Sequence, residues 1–254
     1  MSRLCRAEVI DPHEINVVHV INRTVRRCFL FGDDPLSGKN FDHRKDWIEA
    51  VLEHFAACFG IDLLCYSILS NHDHLILRTR PDVVESWDDT EVARRWLMIC
   101  PQRKIAGKPA EPTEAELNSI RGCSVRVAEI RQRLSSVSWW MRLLNQRVAQ
   151  RANQEEGEHG RFWQDRYRAI RLIDEESLVA CAAYVELNPI RAAIAQKLEE
   201  SEYTSIKRRI DVDRDVARGE AGLSSSKRDA FLSRVELNEA DGPIGPRPSG
   251  SGRR

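Results

Sequence analysis

No run of 18 apolar residues occurs in this sequence, and its opening Met1-Ser2-Arg3-Leu4-Cys5-Arg6 lacks the apolar core of a signal segment. Both absences argue against a membrane-spanning helix and an export leader, so the expectation is a soluble, cytoplasmic chain with no membrane partner. An excess of charge is missing too. With 39 basic residues against 39 acidic ones, bulk charge favours no nucleic-acid partner, and any such partner must be met by a local patch. The seven cysteines contain no Cys-x-x-Cys pair, a pattern that fits reduced thiols and argues against a disulfide frame or a zinc knuckle. The 254 residues that remain to be explained suffice for one ordinary domain with appendages, or two small ones.

What is present is organised around Ser70-Asn71-His72-Asp73-His74-Leu75-Ile76-Leu77. The apolar run 61–69, a two-residue Ser-Asn connection and the run 72–79 read as a β-hairpin. In a strand, His72 and His74 share one face while Asp73 points to the other. Two neutral imidazoles on one face suit a divalent transition metal, with a further ligand needed from elsewhere. The same spacing also fits polar residues on the wet face of a half-covered sheet.

Upstream, residues 14–25 alternate, with Ile15, Val17 and His19 on one side and Asn16, Val18 and Val20 on the other, which predicts a first strand buried on both sides at its centre. Arg23, Arg26 and Arg27 follow, as phosphate contacts or as solvated charge. From Asp42 the period turns helical through Trp47, Ile48, Val51, Leu52, Phe55 and Phe59, closed by Gly60. The order so far is β-α-β-β, the first half of a ferredoxin-like (RRM-like) antiparallel sheet with helices packed on one face, an α+β class. Residues 81–130 read as an insertion: a short helix over 90–99, a loop over 104–112 with Gly107, Pro109 and Pro112 as breakers, and a helical stretch over 113–120.

A stronger helix is predicted over 136–151, with Val137, Trp140, Met141, Leu144 and Val148 as its buried stripe and Arg142, Arg147 and Arg151 around the rest. Such a basic face can follow a phosphate backbone or simply be solvated. After a loop over 155–160, the run Arg161-Phe162-Trp163-Gln164-Asp165-Arg166-Tyr167-Arg168 interleaves arginine with aromatic rings and reads as an extended segment adding a strand. Arg161, Arg166 and Arg168 are candidate phosphate contacts beside rings that could stack on unpaired bases, although aromatics in a strand are more often core. Asp174 then caps a helix whose Tyr184 and Asn188 lie one turn apart and point the same way; Pro189 disfavours helical geometry at Asn188. Beyond residue 210 the apolar content thins, so the domain is expected to span 1–210 and residues 211–254 to form a charged, largely disordered tail.

Three separated blocks carry a resemblance: Ser70-Asn71-His72-Asp73-His74, then Phe162-Trp163-Gln164-Asp165-Arg166-Tyr167, then Tyr184-Val185-Glu186-Leu187-Asn188-Pro189. In this order they resemble the REP-associated tyrosine transposases (RAYTs) of the single-tyrosine HUH superfamily, over roughly residues 4–206. The resemblance implies a ferredoxin-like palm, His72, His74 and Asn188 as ligands of Mg²⁺ or Mn²⁺, and Tyr184 as nucleophile. It further implies a 5′-phosphotyrosine intermediate and single-stranded DNA beside a hairpin as substrate, and it allows a homodimer. Tyr167 falls at the family's strand position and not on its helix. The sequence departs from the pattern in Asp73, where an apolar residue is usual, in the length of 81–130, and in its neutral net charge. The functional expectation is therefore a metal-dependent endonuclease and strand-transferase. A hairpin-DNA-binding module that has lost cleavage is the alternative, and a zinc hydrolase using water would leave Tyr184 and Asn188 unexplained.

Overall fold

The computed structural model describes residues 10–25, 30–35, 37–218 and 231–235. From the amino-terminal side, β1 (Val17–Arg23) leads through α1 (His43–Cys58) into the hairpin of β2 (Ile61–Ile68) and β3 (His72–Thr79). An inserted layer follows, made of α2 (Pro81–Glu85), α3 (Asp89–Ile99), a miniature hairpin of β4 (Lys104–Ile105) and β5 (Lys108–Pro109), α4 (Glu114–Arg121) and α5 (Ser124–Leu134). Then come the long α6 (Val137–Glu156), β6 (Arg168–Leu172), α7 (Glu175–Glu186), the single turn α8 (Asn188–Arg191) and α9 (Ser205–Ala217). The main sheet has the order β2-β3-β1-β6 with every pair antiparallel. With α1 and α6 as its crossovers, this is the β-α-β-β-α-β arrangement of an α+β, ferredoxin-like sheet.

Strand pleating divides the sheet into two environments. On one face Val18, Val20, Leu63, Leu75 and Leu77 meet Ile48, Leu52 and Phe55 of α1 and Trp140, Met141 and Leu144 of α6. Trp140 stands edge-on to Phe55 at 5.3 Å. Each such fully buried side chain contributes roughly 1.5–3 kcal/mol over its exposed state. The other face is covered only in part: Val17, Leu64, Cys65, Ile76 and Leu172 pack against Leu178 and Val185 of α7. A register shift between Leu63 and Cys65 turns Leu64 and Cys65 together toward that helix. Beyond α7 the second face is open, and His72, His74 and Arg168 stand there.

The hairpin apex is tight because the Leu69 amide donates to the His72 carbonyl at 2.9 Å, and chain following β1 holds it, through Thr24 N–H to the Asn71 carbonyl at 3.0 Å and Phe31 N–H to the Ser70 carbonyl at 2.9 Å. Gly60 ends α1 for a reason other than a left-handed cap. The chain is already extended at Phe59, and a Cβ on Gly60 would run into the Val84 side chain of α2.

Several expectations are corrected. Residues 155 and 156 are not loop but the last turn of α6, which closes on left-handed Gly157. They stay helical because fully buried Arg44 pairs with Glu155 and Glu156 at 2.8 and 3.0 Å, tying α1 to the end of α6. Residues 104–112 hold the β4–β5 hairpin, turned by Ala106 and Gly107 at positive φ. The boundary at 210 falls inside α9. That helix is held by Arg209, which donates to Glu186 Oε1 at 2.7 Å and to the Leu64 carbonyl at 2.6 Å, and Leu232 returns to bridge Leu63. The rest of the expected tail lies outside the described residues.

Asp73 points into the helix-covered side, as alternation requires, and is 1% exposed. Neither carboxylate oxygen has a hydrogen-bond partner among the described residues. Burial pushes its carboxyl up to about 7, and the Asn22 amide alongside offsets only part of that rise. A carboxyl whose folded pKa is raised favours the fold while protonated and costs stability as pH climbs from about 4 through 7. Asp73→Asn should therefore gain up to about 4 kcal/mol at pH 8, at about 1.4 kcal/mol per pKa unit. Urea titrations of both proteins at pH 5.5 and 8 check this: the gap between them must widen with pH.

Candidate functional site

The open half of the second face forms a cleft of about 360 Å³ lined by Ile21, Arg23, His72, His74, Gln164, Asp165, Arg166, Tyr167, Arg168 and Tyr184. Four separate segments build it. β3 supplies both imidazoles, and its register against β1 sets Ile21 opposite His74 and Arg23 opposite His72. On the other side of β1, Arg168 is paired with Ile21. Tyr184 arrives on α7, whose start is fixed by a capping box between Asp174 and Ser177. Its ring meets His74 edge-on at 5.5 Å between centroids, with the Arg191 guanidinium over it at 4.9 Å. A second cleft of about 430 Å³, walled by Trp139, Arg142 and Asn145, shares Arg166 and Tyr167 with the first.

The imidazoles are held by their Nδ1 atoms. His72 Nδ1 lies 2.6 Å from Asn71 Oδ1, which fixes that nitrogen as the donor and leaves Nε2 its lone pair. His74 Nδ1 lies 2.9 Å from His19 Nε2, the two rings edge to edge and within 20° of coplanar, while His74 Nε2 is buried with no hydrogen-bond partner among the described residues. Burial lowers His19 to about 4 and His72 to about 4, the latter helped by the Arg23 charge. His74 goes to about 3 through burial and then the neighbouring His72, His19 and Arg23. Neutral rings tethered at Nδ1, as His72 and His74 are, are in the state in which imidazole binds a metal. The pair thus fits a divalent ion, whereas among the described residues no group of three or more His, Cys, Asp or Glu is placed to hold one. A third protein ligand would have to be of another type.

Asn188 is of that type but is not on the cleft wall. It is buried, its Nδ2 is without a hydrogen-bond partner among the described residues, and it opens α8 in helical geometry with Pro189 behind it, so Pro189 does not displace it from the helix. Of the arginines, Arg23, Arg166 and Arg168 line the cleft, and Arg161 is exposed but outside the wall. Arg147 is not on the cleft wall. It lies on the helix-covered side, its guanidinium over the Phe55 ring at 4.7 Å and bonded to the Ile99 carbonyl, because α6 turns that face toward α1 and α3. Arg26 and Arg27 lie outside the described residues. Two residues that touch the cleft side chains, His19 against His74 and Arg191 over Tyr184, had no role from sequence. His19 was visible only as a strand position on the same face as Val17, and Arg191 as part of the Asn188-Pro189-Ile190-Arg191 turn.

No protein-family model and no curated protein matches this chain. Among solved structures it is similar to one described as "Structure of the REP associates tyrosine transposase bound to a REP hairpin", at 11% identity and a TM-score of 0.46, covering 98% of this chain and 100% of that one. Among the described residues, no helix is long and apolar enough to cross a membrane.

The buried histidines make the fold sensitive to acid. Each folded pKa lies below the unfolded value near 6.5, so the stabilisation from keeping the rings neutral is complete above that pH and is lost as pH falls toward about 4. At pH 5 the loss should reach about 2 kcal/mol per histidine, opposed in part by Asp73. Chemical denaturation of Asp73→Asn from pH 7.5 to 5 isolates it, with a fall in unfolding free energy as the expected result and a flat profile as the contrary one.

Proposed function

We propose that this protein cleaves and rejoins single-stranded DNA beside a hairpin through a covalent tyrosine intermediate, with Tyr184 as nucleophile and a Mg²⁺ or Mn²⁺ ion held by His72, His74 and Asn188. The observation that carries the reading is the meeting of Tyr184 with His74 at 5.5 Å in one cleft, although more than a hundred residues separate them in the chain. The three sequence blocks that resemble the single-tyrosine transposases supply the substrate class.

A divalent ion bound there would polarise the scissile phosphate and offset the charge that builds up during attack. Arg23, Arg166 and Arg168 hold neighbouring phosphates along the wall. The Tyr184 hydroxyl oxygen attacks phosphorus in line, the P–O3′ bond breaks, the phenolic proton passes to water, and the departing 3′ oxygen takes up a proton. The products are a 5′-phosphotyrosine and a free 3′-hydroxyl. A second 3′-hydroxyl reversing the exchange joins strands without an outside energy source.

One observation favours a second reading, a hairpin-DNA-binding module without cleavage. The cleft wall carries two imidazoles but not Asn188, so the ligand set is incomplete on the wall itself.

Incubating labelled single-stranded hairpin DNA with the protein and Mn²⁺, then separating on a denaturing gel, distinguishes the two. Wild type should give a protein–DNA adduct and Tyr184→Phe none. Adduct from the mutant overturns the nucleophile, and tight binding without adduct from either protein supports the binding module. A separate expectation concerns the wall: Arg168→Ala should weaken DNA binding and lower the slope of log K against log salt by about 0.7, the value for one phosphate contact on a single strand. An unchanged slope in salt-dependent fluorescence anisotropy removes Arg168 from the DNA path.

A further inference from the structure

His19 stands behind the cleft wall against His74, and it belongs to no sequence block that carried the resemblance. It rises from β1 on the cleft face, is 6% exposed, and sets Nε2 2.9 Å from His74 Nδ1. Only one proton can lie between these two nitrogens, and its owner decides what His74 can do. If His19 donates, neutral His74 must carry its own proton on Nε2, where a buried N–H would have no acceptor among the described residues. If His74 donates, Nε2 keeps a bare lone pair, the arrangement a ligating imidazole requires, and His19 takes its proton on Nδ1, which is not among the stranded buried atoms. A stranded donor is the rarer and costlier defect in folded proteins, so the second arrangement is the one this packing favours. It also matches His72, whose Nδ1 is tethered to Asn71 at 2.6 Å.

We infer that His19 is a positioning residue, accepting the His74 Nδ1 proton and thereby fixing the tautomer that leaves the His74 Nε2 lone pair free to ligate. The two rings lie edge to edge and within 20° of coplanar, so tilting His74 would break this hydrogen bond. The inference rests on the metal-holding reading of the His pair and adds to it the group that prepares one ligand before any ion arrives.

Two measurements test it, neither of them catalytic. Long-range ¹H–¹⁵N correlation spectra of the wild-type protein without metal report which imidazole nitrogen is protonated. His74 protonated on Nδ1, with His19 Nε2 unprotonated, is the expected result, and His74 protonated on Nε2 overturns the inference. Manganese affinity is then measured by calorimetry for wild type, His19→Leu and His19→Gln. A glutamine oxygen can take the place of Nε2 as acceptor and leucine cannot. Loss of a partner behind a metal ligand typically weakens binding 10–100-fold, so His19→Leu should fall by about that factor while His19→Gln stays within about threefold of wild type. Equal affinity in all three proteins overturns the inference, as does an equal loss in both variants. Should His19→Leu fail to fold, the wild-type spectra still decide. Failure of the underlying metal reading looks different: wild type would then bind manganese no better than His74→Ala.

Discussion

A β-strand cannot offer two neighbouring alternate side chains to one face without sending the residue between them to the other, and the centre of this molecule is arranged around that constraint. Presenting His72 and His74 to the cleft commits Asp73 to the interior, where it sits beneath the helices with no charged partner among the described residues. The same pleat, carried across antiparallel register to β1 and β6, lines up Arg23, Ile21, His19 and Arg168 on the cleft side. The core face and the chemical face are thus one decision read from two sides, and a one-residue slip of β3 would exchange them.

The zero net charge of the chain conceals a strong local imbalance. In the inserted layer, acids and bases cancel in pairs, with Glu91 against Arg94 and Arg95, Arg103 against Glu116 and Arg131 against Asp89. Arg44 is matched by Glu155 and Glu156, and Arg209 by Glu186. The cleft arginines Arg23, Arg166 and Arg168 form no salt bridge among the described residues. Their field is therefore available to a ligand in a way that whole-chain charge cannot reveal.

What could be read from the sequence was what short-range periodicity controls. The hairpin, α1, the buried stripe of α6 and the capped α7 all follow from patterns within one element, and together they fix the sheet order. α5 escaped although Val127, Ile130 and Leu134 recur at helical spacing, because its first residues carry no side-chain cap. Long-range contacts were invisible for a different reason. Arg147 reads as a solvated charge and becomes half-buried only because Phe55 and Ile99 lie opposite. α9 looks too polar to fold, yet Arg208 reaches Glu49 and Arg209 reaches Glu186 from far along the chain. In the cleft, the His pair and Tyr184 were legible as motifs. His19 was not, since its value depends on which strand pairs with which.

The attachment of α7 has a consequence of its own. That helix rests on the sheet through buried Leu178 and Val185, with half-buried Cys181 and Ala182 between them, and its far end is latched by Glu186 accepting from Ser205 at 3.0 Å and from Arg209 at 2.7 Å. The phenol is therefore carried on an arm whose stiffness is set by a helix that touches no reacting group. A shortened chain ending near residue 204 would keep its sheet, hairpin and imidazoles and yet let the arm swing, separating the capacity to fold from the capacity to aim.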